Sequence, residues 1–261
     1  MKLHSSLHSS DNKKKTLVAE NGKVRFNNRR VMADKKCRTK SSQSWLKRQI
    51  NDPFVNAARI EGYLARSAYK LLEIQHKYDI LDKNTEIIID LGCSPGSWSQ
   101  VILTSKFSKN KHVIGLDILP VKFNHPNLHY IQGDFESDDT KKKLISKLQE
   151  LCKIKSRSNI KADCVVCDIA LNATGNSSTD RLRSERIMET ALEFCRDYLS
   201  VGGSLVCKSL KGADASIIND MKSIFNYTYR FKPKSSRKDS SELFIIGKYK
   251  KNKNFRFLLI C

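Results

Sequence analysis

Residues 86–101 read EIIIDLGCSPGSWSQV, and the order of residue types within them decides the fold. The apolar run Ile87–Ile89 closes on Asp90, breaks at Gly92, Pro95 and Gly96, and resumes as a helix at Trp98. That is a strand, a tight turn and a helix N-terminus. In an open α/β sheet such a junction receives a small ligand, because glycine lets the backbone approach and the first helical N–H groups point outward. Gly92-x-x-x-Gly96 lacks the G-x-G-x-x-G spacing of a dinucleotide site, and Pro95 removes an N–H that a pyrophosphate would need. A ligand without phosphate fits the turn better.

Outward from this junction the pattern is that of an α/β protein. Short β-rich runs at 86–90, 112–117, 128–131, 163–168, 203–208, 227–232 and 242–249 alternate with helical stretches near 98–107, 138–152, 181–199 and 213–225. Alternation of this kind builds βαβ units and a mostly parallel sheet with helices on both faces. The last two runs are joined by a short loop, which makes them pair antiparallel. In the helix from Arg181, residues Ile187, Met188, Ala191, Leu192, Cys195, Tyr198 and Leu199 recur at helical spacing, and Gly202 with Gly203 is read as its stop. Upstream, order is expected to begin near Ser44. A helix from Ser67 turns Leu71, Leu72 and Ile74 to the core and carries Lys70.

With 261 residues, 39% of them hydrophobic, the chain can bury one sizeable core. Its formal net charge of +21 calls for a polyanionic partner such as nucleic acid. No stretch approaches the roughly 18 apolar residues of a membrane span. Eight cysteines are scattered without paired spacing and read as reduced thiols. Cys164 and Cys167 lie within DCVVC, where strand alternation sends the two thiols to opposite faces, so no metal site is expected. Residues 1–43 carry twelve Lys or Arg against three acids and little apolar periodicity. They read as a disordered basic leader suited to organelle import, nuclear targeting or RNA contact. Residues 44–250 then form a single domain, and 251–261 a short tail.

Three acids fall at or just after strand ends, the sheet edge where ligands bind. Asp117 ends HVIGLD roughly twenty residues past Gly96, the separation at which a carboxylate accepts hydrogen bonds from ribose hydroxyls. Asp134 follows LHYIQG, one strand further out, where a base edge can be read; Asp168 ends CVVCD and faces the same crevice. Together with the phosphate-poor turn they point to S-adenosylmethionine, which brings a ribose, an adenine and a cationic sulfonium.

At this level the chain resembles the FtsJ-type (RrmJ-like) ribose 2′-O-methyltransferases. The resemblance rests on RSAYKLLEIQ, DLGCSPGSWSQV, LDILP, QGDF, CDIALNATG, LVCKSL and SSRKDSSELFIIG, and runs from about Ser44 to Lys250. It implies a Rossmann-like S-adenosylmethionine-dependent methyltransferase fold, a seven-stranded mostly parallel sheet with one antiparallel strand. It also implies a catalytic tetrad at Lys70, Asp168, Lys208 and Glu242, and cofactor contacts at Gly96, Trp98, Asp117, Asp134 and Asp168, with the turn glycine Gly92 beside them. The segment WLKRQINDPFVNAARIEGYLARSAYK looks most like the mitochondrial members that methylate a uridine of large-subunit ribosomal RNA. The partner implied is ribosomal RNA within an assembling large subunit, met by a monomer, with nuclear, nucleolar or cytoplasmic placement as the alternative address. Two positions depart from the family's pattern: Ser97 stands where PGGW has its second glycine, and Leu171 where a proline usually follows D-x-A.

The tetrad makes chemical sense apart from the resemblance. Lys208 ends an apolar strand, Glu242 begins one, Asp168 ends another and Lys70 comes from a helix, so four distant segments can converge above one sheet edge. Their task would be to hold a ribose 2′-hydroxyl in line with the methyl donor. Lys208 is either the base or a cation that stabilises the developing alkoxide, since neighbouring carboxylates favour its charged form while Lys70 and desolvation act the other way. RNA phosphates are expected on Lys47, Arg48, Arg59, Arg66, Lys211, Lys234, Arg237 and Lys238 around the crevice. A base or protein methyltransferase would not need Lys70, Lys208 and Glu242. A catalytically weak RNA-binding assembly factor would not need the tetrad intact, and a methyltransferase acting on tRNA remains the nearest alternative substrate reading.

Overall fold

The computed structural model describes residues 49–106, 108–170, 174–213 and 215–252. The basic leader, Lys47, Arg48, Leu171 and the chain from 253 onward lie outside them. In chain order the elements are α1 (Pro53–Glu61), α2 (Ala68–Tyr78), β1 (Ile87–Leu91), α3 (Ser97–Thr104), β2 (His112–Asp117), β3 (Leu128–Gln132) and α4 (Asp138–Ile154). They continue with β4 (Ala162–Cys167), α5 (Ser177–Tyr198), β5 (Leu199–Leu210), α6 (Ala215–Ile224), β6 (Phe225–Phe231) and β7 (Glu242–Lys250). The strands form one seven-stranded sheet in the order β3-β2-β1-β4-β5-β7-β6. All neighbours pair parallel except β7, which is antiparallel to both β5 and β6. This is the sheet expected from the sequence.

The period-two geometry of β1 sorts its side chains between two cores. Ile87, Ile89 and Leu91 face a core completed by Leu144 and Leu148 of α4, Met188 and Leu192 of α5, and Ile217 and Met221 of α6. Ile88 faces the opposite core, with Leu71 and Ile74 of α2 and Val101 and Ile102 of α3. Both faces are therefore covered, and all five residues of β1 are buried. Cys164 lies in the second core and Cys167 in the first, on the opposite faces that strand alternation requires.

Two boundaries differ from the sequence pattern. Helix α5 begins at Ser177, because the Asn176 side chain accepts hydrogen bonds from the N–H groups of Ser178 and Thr179. It ends at Tyr198, so Gly202 and Gly203 do not stop it; they lie inside β5. The reason is close approach: a Cβ on Gly203 would stand 2.9 Å from the Asp163 carbonyl oxygen and 2.8 Å from Leu199 Cδ1. The glycine lets β5 pass beside β4 where their register shifts.

The parallel arrangement leaves the C-terminal ends of β1, β2, β4 and β5 and the N-terminal end of the reversed β7 at one edge of the sheet. Asp90, Asp117, Asp168, Lys208 and Glu242 all stand there.

Candidate active site

The turn after β1 is built on two glycines with positive φ. Gly92 (φ +75°) passes Ile169 so closely that a Cβ would lie 2.8 Å from the Ile169 Cα. Gly96 (φ +110°) starts α3, and a Cβ there would meet Phe123 Cβ at 2.6 Å. Both positions need glycine on conformation and on space. Gly92→Ala is expected to lower the melting temperature and to displace Ile169 into the adjoining cleft. Thermal unfolding of the variant, with and without cofactor, measures both losses.

That cleft, ≈ 420 Å³, opens between the ends of β1, β2 and β4, and Gly92, Asp117, Asp134, Asp168 and Ile169 are among its walls. The Asp117 carboxylate is fixed from two sides, Oδ2 accepting from Ser94 N and Oδ1 from Leu119 N, each at 2.8 Å. Asp134 Oδ1 accepts from Glu136 N at 2.9 Å. Each carboxylate oxygen has two acceptor directions, so both side chains are oriented with acceptor capacity left for a ligand. The sequence did not single out the far wall, where Arg183 and Arg186 of α5 line the cleft and Arg186 Nε bonds Glu136 Oε1 at 2.7 Å across the rim.

Not every predicted cofactor residue reaches this cleft. The Trp98 ring is 3% exposed, its Nε1 donates to the Ser67 carbonyl at 2.9 Å, and it packs on Phe244 with centroids 5.7 Å apart. Its side chain anchors α3 to α2 instead of lining the cleft. Gly96 likewise acts through the turn and is not among the lining residues.

The four residues of the predicted tetrad do converge, from α2, β4, β5 and β7. Lys70 Nζ lies 2.8 Å from Glu242 Oε2 and 3.6 Å from Asp168 Oδ1, and Lys208 Nζ lies 3.1 Å from the same Asp168 Oδ1. Lys208 Nζ also donates to the Asp168 main-chain carbonyl at 3.0 Å. The four side chains are between 12% and 16% exposed, which sets them apart from solvated surface lysines. Asp168 Oδ1 is buried and accepts no aligned hydrogen bond among the described residues, held between two ammonium groups by charge alone. Lys208 donates one N–H to the Asp168 carbonyl and meets Oδ1 as an ion pair, which leaves donor capacity on its ammonium.

Glu242 is held more tightly than the sequence suggested. Burial pushes its carboxyl up, but the Lys70 ammonium and its hydrogen bond, the Ser236 hydroxyl and Lys208 together outweigh burial and hold it below the usual range. Ser236 Oγ donates to Glu242 Oε1 at 2.7 Å, and its loop is tied back by Glu73, which accepts from Lys234 N and Ser235 N, and by Arg66, which donates to the Ser235 carbonyl. Two residues proposed for phosphate contact, Arg66 and Lys234, therefore shape the loop that carries Ser236. Beneath the site lies Asp90, 1% exposed, with Ser99 Oγ donating to its Oδ2 at 2.6 Å. Burial, opposed by the Ser99 hydrogen bond and reinforced by the charges of Asp168 and Asp117, pushes its carboxyl up to about 7.

The family profile described as FtsJ-like methyltransferase matches residues 63–250. A ribosomal RNA large subunit methyltransferase E of Rickettsia akari is 39% identical over 229 residues, covering 85% of this chain and 94% of that protein. Its counterpart from Caulobacter vibrioides is 40% identical over 211 residues, covering 80% of this chain and 87% of its own length. A crystal structure described as that of a ribosomal RNA methyltransferase from Plasmodium falciparum superposes with a TM-score of 0.62 at 31% identity, covering 72% of this chain and 98% of that one. A sheet with one reversed strand, a cleft walled by three aspartates and a lysine–carboxylate cluster sharing one of them thus coincide with sequence similarity along most of the chain, and this protein belongs to the FtsJ-like methyltransferases.

Proposed function

We propose that this enzyme transfers a methyl group from S-adenosylmethionine to a ribose 2′-hydroxyl of ribosomal RNA, on a uridine of the large subunit. The observation that carries the reading is the double position of Asp168, which walls the cofactor-sized cleft and at the same time touches both lysines of the tetrad. A methyl donor in the cleft and a hydroxyl beside the lysines would be neighbours across that one side chain. The curated relatives act, by their names, on large-subunit ribosomal RNA, which supports the substrate.

The cleft residues fit a nucleoside-like cofactor. Asp117 and Asp134 offer acceptors to ribose hydroxyls and a base edge, and Ile169 with the glycine turn offers an apolar, closely approaching wall. When bound, S-adenosylmethionine supplies an electrophilic methyl group. Asp168 and Glu242 orient Lys208 and Lys70, and Lys208, with one N–H given to the Asp168 carbonyl, has donor capacity for an incoming hydroxyl oxygen. In this arrangement the Lys208 ammonium stabilises the negative charge that develops on the oxygen as the oxygen–methyl bond forms, the sulfur–methyl bond breaks and the hydroxyl proton passes to water.

Asp117→Ala should weaken cofactor binding by about ten- to a hundredfold, the loss of hydrogen bonds to a charged acceptor. Titration calorimetry on the folded variant checks it, and unchanged affinity would remove Asp117 from the cofactor site. The substrate reading is tested by mapping 2′-O-methyl groups on large-subunit ribosomal RNA, naked and in assembling particles, after incubation with the enzyme and cofactor. A target nucleotide lacking its 2′-hydroxyl should accept nothing; methylation of a base or of that deoxy substrate would overturn the reading.

The enzyme is read as a monomer whose catalytic domain spans residues 44–250, with residues 1–43 as a mitochondrial import leader. The support is the likeness of WLKRQINDPFVNAARIEGYLARSAYK to mitochondrial family members, together with a leader of twelve basic residues against three acids. Fusing residues 1–43 to a fluorescent reporter tests the address, and nuclear or diffuse cytosolic signal would refute it.

A further inference from the structure

Three large aromatic side chains stand exposed together on the outer strands. Tyr227 is 54%, Tyr229 37% and Tyr249 45% exposed. Tyr227 and Tyr229 lie nearly parallel, 14° between planes at 6.4 Å, and Tyr249 meets Tyr227 edge-on at 6.1 Å. Tyr78, at the end of α2, packs on Tyr229 at 4.9 Å and on Phe231 at 5.6 Å. Cations are interleaved with the rings: Lys77 Nζ sits 4.8 Å from the Phe231 centroid, and Lys248 Nζ 4.8 Å from that of Tyr249.

The fold gives this ladder a direction. Among the described residues strand β6 is the edge of the sheet and pairs only with β7, and Phe231 stands opposite Phe244, two residues from Glu242 of the tetrad. From there the rings descend through Tyr229, opposite Ile246, to Tyr227, opposite Lys248. Tyr227 to Phe231 covers about 13 Å of strand. At the lower end Tyr249 borders a concavity lined also by Arg196, Lys222 and Lys251. Cross-strand aromatic pairs can serve stability alone. Stability does not require rings left a third to a half open to solvent, in line with the active-site edge, with lysines between them and a basic concavity at the end.

We propose that the β6 face is a stacking platform for single-stranded RNA, a second contact surface that holds the strand leaving the active-site edge. The inference rests on the reading of the enzyme as acting on RNA. Aromatic faces receive bases of any sequence, and interleaved cations meet the phosphates, which is the chemistry of single-strand tracks. A chain with net charge +21 adds the complementary field.

The test uses the full-length protein and a fluorescein-labelled oligouridylate of about twelve nucleotides, within the range of single-strand site sizes. Tyr227→Ala combined with Tyr229→Ala should weaken binding by about tenfold or more, while Tyr227→Phe with Tyr229→Phe, which keeps the faces, should bind as the native protein does. Ultraviolet crosslinking of a 4-thiouridine oligonucleotide to the native protein should place adducts on these tyrosines, a readout that does not depend on the variant folding. Unchanged affinity in the alanine variant, adducts confined to the loop 232–241, or a loss seen only in self-association by sedimentation would each overturn the platform, the last by assigning the face to a second copy. Methyl transfer to ribosomal RNA by the native enzyme is followed in parallel. Transfer with unchanged alanine-variant affinity defeats the platform alone, and absent transfer with weakened affinity defeats the functional reading alone.

Discussion

Replacing Lys208 by alanine should lower methyl transfer by about a thousandfold, the scale of losing one charge-stabilising donor at a reacting oxygen, while cofactor affinity stays nearly unchanged. The separation follows from geometry. Lys208 Nζ meets the Asp168 carboxylate and carbonyl at 3.1 and 3.0 Å, and Lys208 is not among the residues lining the cofactor cleft. Arginine should not restore the rate, because a planar guanidinium cannot take the place of a compact ammonium in a space set by two short contacts to one residue. Single-turnover transfer beside calorimetric cofactor binding measures both halves. Retained turnover in Lys208→Ala would remove the residue from the chemistry, and a matching collapse of cofactor affinity would show instead that the variant has disturbed Asp168. Removing the cation also leaves the buried Asp168 carboxylate with Lys70 alone, at 3.6 Å, so a lower melting temperature is expected.

Asp90→Asn should change how stability depends on pH by several kcal/mol. The Asp90 carboxyl, pushed up to about 7 first by burial, ordinarily titrates near 3.9 in an unfolded chain. Folding therefore favours its protonated form. The contribution is complete below the unfolded pKa and is lost as pH rises through the folded pKa, in the window from about 4 to 7. A shift of that size corresponds to about 4 kcal/mol at 1.36 kcal/mol per unit. Asparagine mimics the neutral form and has nothing to lose. Urea unfolding across about pH 3 to 8, a range that brackets the window, should show the two proteins alike at the acid end and the variant more stable by a few kcal/mol at the alkaline end. Parallel stability curves would mean that Asp90 titrates as an ordinary carboxylate.

Asp90 also shows where sequence reading stopped. The run EIIID announced a strand ending on an acid, yet nothing in it separated Asp90 from Asp117 or Asp168 as a buried, neutral-leaning carboxyl. That difference comes from α3, which lays Ser99 against Asp90 Oδ2 and shuts out water. Trp98 gives the converse case. The family resemblance implied a cofactor contact there, and the structure packs the side chain against Phe244 with a hydrogen bond to the Ser67 carbonyl, so the ring serves as a structural anchor. Gly202 and Gly203 followed a helical pattern and so looked like its stop, whereas their use is to bring β5 close to β4.

Other parts were legible because they depend on local chemistry. Alternating short β-rich and helical runs specify parallel βαβ units wherever they occur, and the short link between the last two strands leaves only an antiparallel pairing. The requirement for glycine at positions 92 and 96 is visible as a break in the apolar pattern, and the acids at strand ends are visible as sequence neighbours of those strands. The sequence by itself thus determined the sheet, its two covered faces and the glycine turn, while the four tetrad positions came from the family resemblance. Only the tertiary structure decided that one oxygen of Asp168 stands between both lysines while the residue walls the cleft, that Ser236 and Glu73 hold the loop bearing on Glu242, and that Tyr78 from α2 continues the tyrosines of β6 and β7. Those relations join residues far apart in the chain, and no local pattern records a distance that packing alone creates.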